Sequence, residues 1–171
     1  MPIVERPTDE FRAEDFEKPG APEKFAEIIE GRLVVSAPAG RYHNKITLQF
    51  IYLFKEYSDK HPGWSVGLDN DGFLLRRNPD VLICPDVSLF KTEHEADTTW
   101  LEFAPEIAVE VLSPSNHPGE IAYKKAELFR AGTEQFWLVD PRAKSAEFFY
   151  REGRCVVVTG NEVYDPGGCV P

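Results

Sequence analysis

Apolar and polar positions recur along this chain with two periods, and the switches between them predict its elements. Residues 27–36 read as two strand segments meeting at Gly31, the start of a hairpin. Over residues 43–57 the apolar positions Ile46, Phe50, Leu53, Phe54 and Tyr57 fall at helical spacing, and Pro62-Gly63 supplies the turn chemistry that ends the helix. Short strands are predicted at residues 64–67 and 73–75, separated by a turn at Asp69-Asn70-Asp71-Gly72. Two stretches rich in Val, Ile and Leu, residues 81–90 and 106–113, read as buried strands. A helix over residues 120–131 is closed by Gly132, and a further buried strand over 135–140 is cut by Pro141. Residues 145–151 and 155–159 alternate around Glu152-Gly153 as a hairpin.

This order contains one strand-helix-strand crossover, residues 107–112 to residues 136–139, which places those two strands parallel with a right-handed connection. The remainder reads as meanders. The expected fold is therefore α/β in the α+β sense, a mixed β-sheet flanked by few helices. Residues 1–22 are charged and carry Pro2, Pro7, Pro19 and Pro22, so they read as an N-terminal arm with at most one short helix near residues 8–16. Residues 23–171 read as one domain, and 171 residues suffice for a single sizeable core.

Composition narrows the function. No apolar run approaches the roughly 18 residues of a membrane span, and the N-terminus has no apolar signal region, so a cytoplasmic protein that does not engage membranes is expected. Cys84, Cys155 and Cys169 are an odd set without paired metal-ligand spacing, which argues against a disulfide framework and a zinc site. The formal net charge is -10 and no Lys/Arg run occurs, which argues against strong non-specific DNA binding. It does not exclude a nuclease, because divalent cations offset local negative charge.

Candidate chemistry begins with two carboxylates inside apolar strands, Asp86 and Glu110. An ionised carboxylate there is costly unless it is paired, hydrogen-bonded or metal-bound. Ala108, Glu110 and Leu112 share one strand face, as do Cys84, Asp86 and Ser88, so both carboxylates converge if the strands are neighbours. Such a pair suits Mg²⁺ or Mn²⁺. On the following helix, counting about 100° per residue from Ile121 puts Lys125 at about 40°, inside the stripe of Ile121, Leu128, Phe129 and Ala122, and Lys124 at about -60°, on its edge. A lysine central to a buried face needs an anion, which Glu110 or Asp86 could supply. The alternative at this stage is an ion pair of Lys125 with one carboxylate that serves packing alone.

Cys84-Pro85-Asp86-Val87-Ser88, residues 108–115, residues 125–132 and residues 134–141 together resemble the Uma2 family of restriction-endonuclease-like proteins, whose fold belongs to the PD-(D/E)XK nuclease superfamily. The resemblance runs from about residue 27 to residue 164. It implies a restriction-endonuclease-like mixed sheet flanked by helices. It implies Asp86 and Glu110 as metal ligands, with the backbone carbonyl of Val111 completing the set. The superfamily lysine two residues after the glutamate is absent, since Leu112 stands there, and the resemblance assigns that role to Lys125 on the helix. Glu27 matches an early family glutamate that could approach the same metal; the alternative is a surface carboxylate of the hairpin.

The expected function is a Mg²⁺- or Mn²⁺-dependent endonuclease that hydrolyses nucleic-acid phosphodiester bonds, DNA being the expected substrate and a homodimer the expected assembly. Catalysis would fall to Asp86, Glu110, Lys125 and Glu27. The alternative is a catalytically silent nuclease-like scaffold that binds nucleic acid or protein, and a third reading is a structural domain whose buried charges fix strand register. His43 reads as a helix-capping or core-edge residue, the alternative being a place at the site edge against DNA or a second carboxylate. Trp100 and Trp137 read as core, and Ser113 has no His/Asp partner at a recognisable spacing for nucleophilic chemistry.

Overall fold

The computed structural model describes residues 10–22, 26–36, 38–95, 98–114 and 116–165. Ten strands and two α-helices are built from them: β1 (Ala26–Ile29), β2 (Arg32–Val35), α1 (Arg41–Lys60), β3 (Trp64–Leu68), β4 (Phe73–Arg76), β5 (Val81–Ile83), β6 (Val87–Lys91), β7 (Ile107–Val111), α2 (Pro118–Ala131), β8 (Gln135–Asp140), β9 (Ser145–Tyr150) and β10 (Cys155–Thr159). The first hairpin turns at Glu30 and Gly31, both at positive φ (51° and 73°), the backbone of the two-residue turn that matches strand twist.

The strands form two sheets. The larger has the order β10-β9-β8-β7-β6-β3, the smaller β2-β1-β5-β4. β7 and β8 pair in parallel, with Glu110 opposite Leu138, as the crossover through α2 requires. β7 is buried at every position, which is why its sequence is nearly all aliphatic. Its Ile107, Val109 and Val111 face α1 and pack with Phe54, Val87, Leu89 and Trp137. Its Ala108 faces the other way, against Ile121 and Leu128 of α2, Phe136 of β8 and Val81 and Ile83 of β5. Glu110 shares the Ala108 face, so strand alternation aims it at α2 and the small sheet.

Two expectations change. Residues 81–90 are not one strand. The chain leaves the small sheet after Ile83 and enters the large sheet at Val87, with Cys84, Pro85 and Asp86 bridging the two. Pro85 has no N–H for a ladder, which ends pairing at this point. Asp86 therefore sits at the junction of the sheets rather than inside a strand.

The described half of the N-terminal arm is also part of the domain. Residues Ala13–Glu17 form a short 3-10 helix that overlaps the end of the range expected for one, and Ala13 is fully buried with Ile28, Leu74 and Leu82. Phe11 N–H donates to the Gly31 carbonyl at 2.7 Å, and Ala13 N–H donates to the buried Asp80 carboxylate at 3.1 Å. Residues 1–9, Ser115 and Cys169 lie outside the described residues.

Candidate active site

The break at Pro85 creates the site. β6 pairs with β7 only as far as Val87 opposite Val109, so the Val111 N–H has no strand partner on that side. The Asp86 Oδ2 accepts that N–H at 2.7 Å in place of a strand carbonyl. The same oxygen takes a second contact from His43 Nε2 at 3.1 Å. His43 stands in the first turn of α1, where the helix end approaches the sheet junction, and its Nδ1 lies 3.4 Å from the Thr47 hydroxyl and 3.3 Å from Asn44 Oδ1. The hydrogen bond to Asp86 raises the His43 pKa above its ordinary value, against the opposing effect of burial. His43 is thus a site-edge residue on a carboxylate, not a cap.

Glu110, on β7, and Glu27, on β1, enter from the two sheets and are 4% and 5% exposed. The Cys84 N–H, released from strand pairing, donates to Glu27 Oε1 at 2.8 Å. The other Glu27 oxygen has the Lys124 ammonium at 2.7 Å, placed off the direction of a good hydrogen bond, so this is a charge contact. Lys124 Nζ also lies 3.4 Å from Glu110 Oε1 and 3.8 Å from Glu120 Oε1. Burial raises the pKa of Glu110 to about 8, with Lys124 opposing and the charges of Asp86 and Glu27 adding to the rise. Burial likewise raises Glu27. Burial disfavours the Lys124 charge, yet Glu110 and Glu27 outweigh it and hold the lysine firmly protonated.

Lys124, not Lys125, is therefore the lysine of the site. Lys125 extends to the Phe149 ring, with Nζ 3.6 Å from the ring centroid, on the other flank of α2. The helical wheel erred because it located the buried face from apolar residues alone. The buried residues of α2 are Ile121, Lys124, Glu127 and Leu128, so two charged side chains rotate the true centre toward Lys124. Glu120 was also missed. The other candidates converge: Glu27, Asp86, Glu110 and Val111 line one cavity of about 530 Å³ with His43 and Lys124. Trp137 is core, as expected, and Trp100 packs against the cluster of Ala13, Ile28, Leu74 and Leu82 while also reaching the cavity wall.

Among the described residues, no group of three His, Cys, Asp or Glu stands ready to enclose a metal ion by itself. The donor chemistry nevertheless suits a hard divalent cation. Mg²⁺ uses one or two carboxylates and takes its remaining oxygens from water and substrate phosphate. Val111 N–H and His43 Nε2 both meet Oδ2 of Asp86, and among the described residues its Oδ1 makes no hydrogen bond.

A family model described as "Uma2: Putative restriction endonuclease" matches residues 13–166. Among solved structures, the "crystal structure of a putative nuclease belonging to DUF820" from Anabaena variabilis ATCC 29413 is similar, with a TM-score of 0.72. The two share 17% sequence identity over 84% of this chain and 81% of that one, a likeness of fold. No curated protein matches the sequence. Among the described residues, no helix is long and apolar enough to cross a membrane.

Proposed function

This chain belongs to the Uma2 family, and on that premise we propose that it is a nuclease that hydrolyses nucleic-acid phosphodiester bonds, DNA foremost, with Mg²⁺ or Mn²⁺ held by Asp86, Glu110 and the Val111 carbonyl. The observation that carries the reading is the Lys124 ammonium, held between Glu27 and Glu110 in the cavity that Asp86 also lines. A cation bound there would polarise the scissile phosphate and lower the pKa of a water. The side chains supply the rest. Val111 N–H and His43 fix the Asp86 carboxylate, so its orientation needs no reorganisation. Lys124 offers positive charge to the phosphate oxygens, and Glu27, tied to the Cys84 N–H, keeps that lysine from swinging away.

The test is cleavage of DNA in Mg²⁺ or Mn²⁺ by the wild type, lost in Asp86→Ala and Glu110→Ala with folding retained. Absence of metal binding by calorimetry in the folded protein would refute it. The acidity of the cavity favours a second reading, a silent scaffold of the nuclease type, which predicts nucleic-acid binding unchanged by Lys124→Met and no cleavage at any metal concentration. The proposal includes a homodimer. Tyr42, Leu48, Tyr52 and Leu53 are exposed apolar residues of α1 that a second copy would cover, and sedimentation velocity of Tyr52→Glu against the wild type checks it.

A further inference from the structure

The cavity around Asp86 and Glu110 is lined by several different segments. Phe16 comes from the 3-10 segment, Val35 from the first hairpin, His43 from α1, Asp69 from the turn before β4, Trp100 from the loop before β7, and His117 from the start of α2. Its volume is about 530 Å³. That volume falls within the range of about 300–1,000 Å³ that encloses a small ligand, the size class of a mononucleotide or dinucleotide.

Charge points the same way. Among the described lining residues six are carboxylates, Glu17, Glu27, Asp69, Asp86, Glu110 and Glu120, and Lys124 is the one lysine or arginine. Its ammonium also faces Glu27 and Glu110, so it can serve one phosphate and not a row of them. A protein that tracks a duplex neutralises on the order of six to ten phosphates with Lys and Arg. Among the described residues no such row meets this cavity, so phosphates flanking the scissile one would find mainly carboxylates. Beside His43, held on Asp86, and His117, the wall offers the amides of Asn44, Asn70 and Asn116 for base edges, and Trp100 as apolar ring surface.

Resting on the nuclease reading, we propose that the substrate is a phosphodiester between unpaired nucleotides, presented by a short oligonucleotide or a single-stranded end, and not an intact duplex. The backbone enters with one phosphate at Lys124 and few others bound.

The experiment compares kcat/KM of the wild-type chain with Mn²⁺ on a dinucleoside monophosphate, a linear single strand and a covalently closed duplex circle, at 50 and 200 mM salt. The expected result is cleavage of an unpaired substrate at least tenfold faster than the duplex. The rate should fall less than tenfold between the two salt concentrations, against a loss of about 10³–10⁵ for a protein with six to ten phosphate contacts. A dinucleotide rate equal to or above that of the strand assigns the substrate to free short oligonucleotides; a faster strand assigns it to single-stranded polymer. Duplex cleavage within tenfold of the single strand, or a salt loss above 10³, overturns this inference and leaves the nuclease reading standing. Cleavage of no substrate, with Mn²⁺ bound, overturns the nuclease reading and this inference with it.

Discussion

Replacing Lys124 with Met, and separately Lys125 with Met, separates a site lysine from its neighbour. Lys124 is 5% exposed and is the counter-charge of two carboxylates that are equally buried. Removing one partner of a buried pair costs about 3–5 kcal/mol when the remaining charge has no relief. Here relief exists, because Glu110 titrates at about 8 even with the ammonium beside it and can hold a proton at neutral pH. A loss of about 2–4 kcal/mol at pH 7 is expected, which lowers Tm by roughly 4–16 °C for a chain of this size. Lys125→Met removes a cation–π contact to Phe149 at 3.6 Å, worth about 0.5–1 kcal/mol, so its Tm should fall by no more than about 4 °C. In the nuclease assay Lys124→Met should lose at least 100-fold in kcat/KM and Lys125→Met less than threefold. Thermal denaturation gives the first comparison and initial rates give the second. The reasoning fails if Lys125→Met is the more damaging of the two in both measurements. A Lys124→Met variant that is as stable as the wild type supports instead the reading in which the buried charges can be exchanged for packing.

The same site predicts a pH dependence of stability. Glu110 binds a proton in the folded chain up to about pH 8, whereas an unfolded glutamate releases it near 4.3, so unfolding free energy falls with rising pH in that window by about 1.4 kcal/mol per unit. His43, raised by Asp86, adds stability that is present below its ordinary 6.5 and is lost as pH rises through its higher folded value. Denaturant unfolding between pH 5 and 8 should therefore show decreasing stability, and Glu110→Gln should flatten that trend without abolishing it; equal slopes in both proteins would argue that Glu110 is ionised throughout. Asp80→Ala removes the buried acceptor of Ala13 N–H and should cost about 1–3 kcal/mol, with limited proteolysis newly cutting the segment around residues 10–22; an unchanged digestion pattern would show that Phe11 and Phe16 suffice to hold it. His43→Ala should lower kcat more than KM through a less fixed Asp86, while His43→Gln, which keeps a donor, should recover part of that loss; no difference between the two would place His43 outside the site.

Periodicity alone located the strands and both α-helices to within a few residues, because each buries a face whose spacing is local. The crossover between β7 and β8 was readable for the same reason. The division into two sheets was not, since residues 81–83 and 87–90 are equally buried on both sides of Pro85. Pro85 itself was the available signal, and reading it as a ladder break would have put Asp86 at a junction, where a carboxylate can replace a strand carbonyl for Val111. The lysine shows a different limit. Lys124 and Lys125 both have apolar neighbours one turn away, and the apolar stripe favours Lys125. What turns the helix toward Lys124 is the burial of Glu127, stabilised by Arg130 and by Arg76, whose Nε lies 3.5 Å from it. Arg76 belongs to β4, so the partner that makes Glu127 a buried residue is invisible from the sequence of α2. A charged residue joins the buried face of a helix when its counter-charge arrives from another element, and that is the reason the wheel of an isolated helix ranks two adjacent lysines in the wrong order.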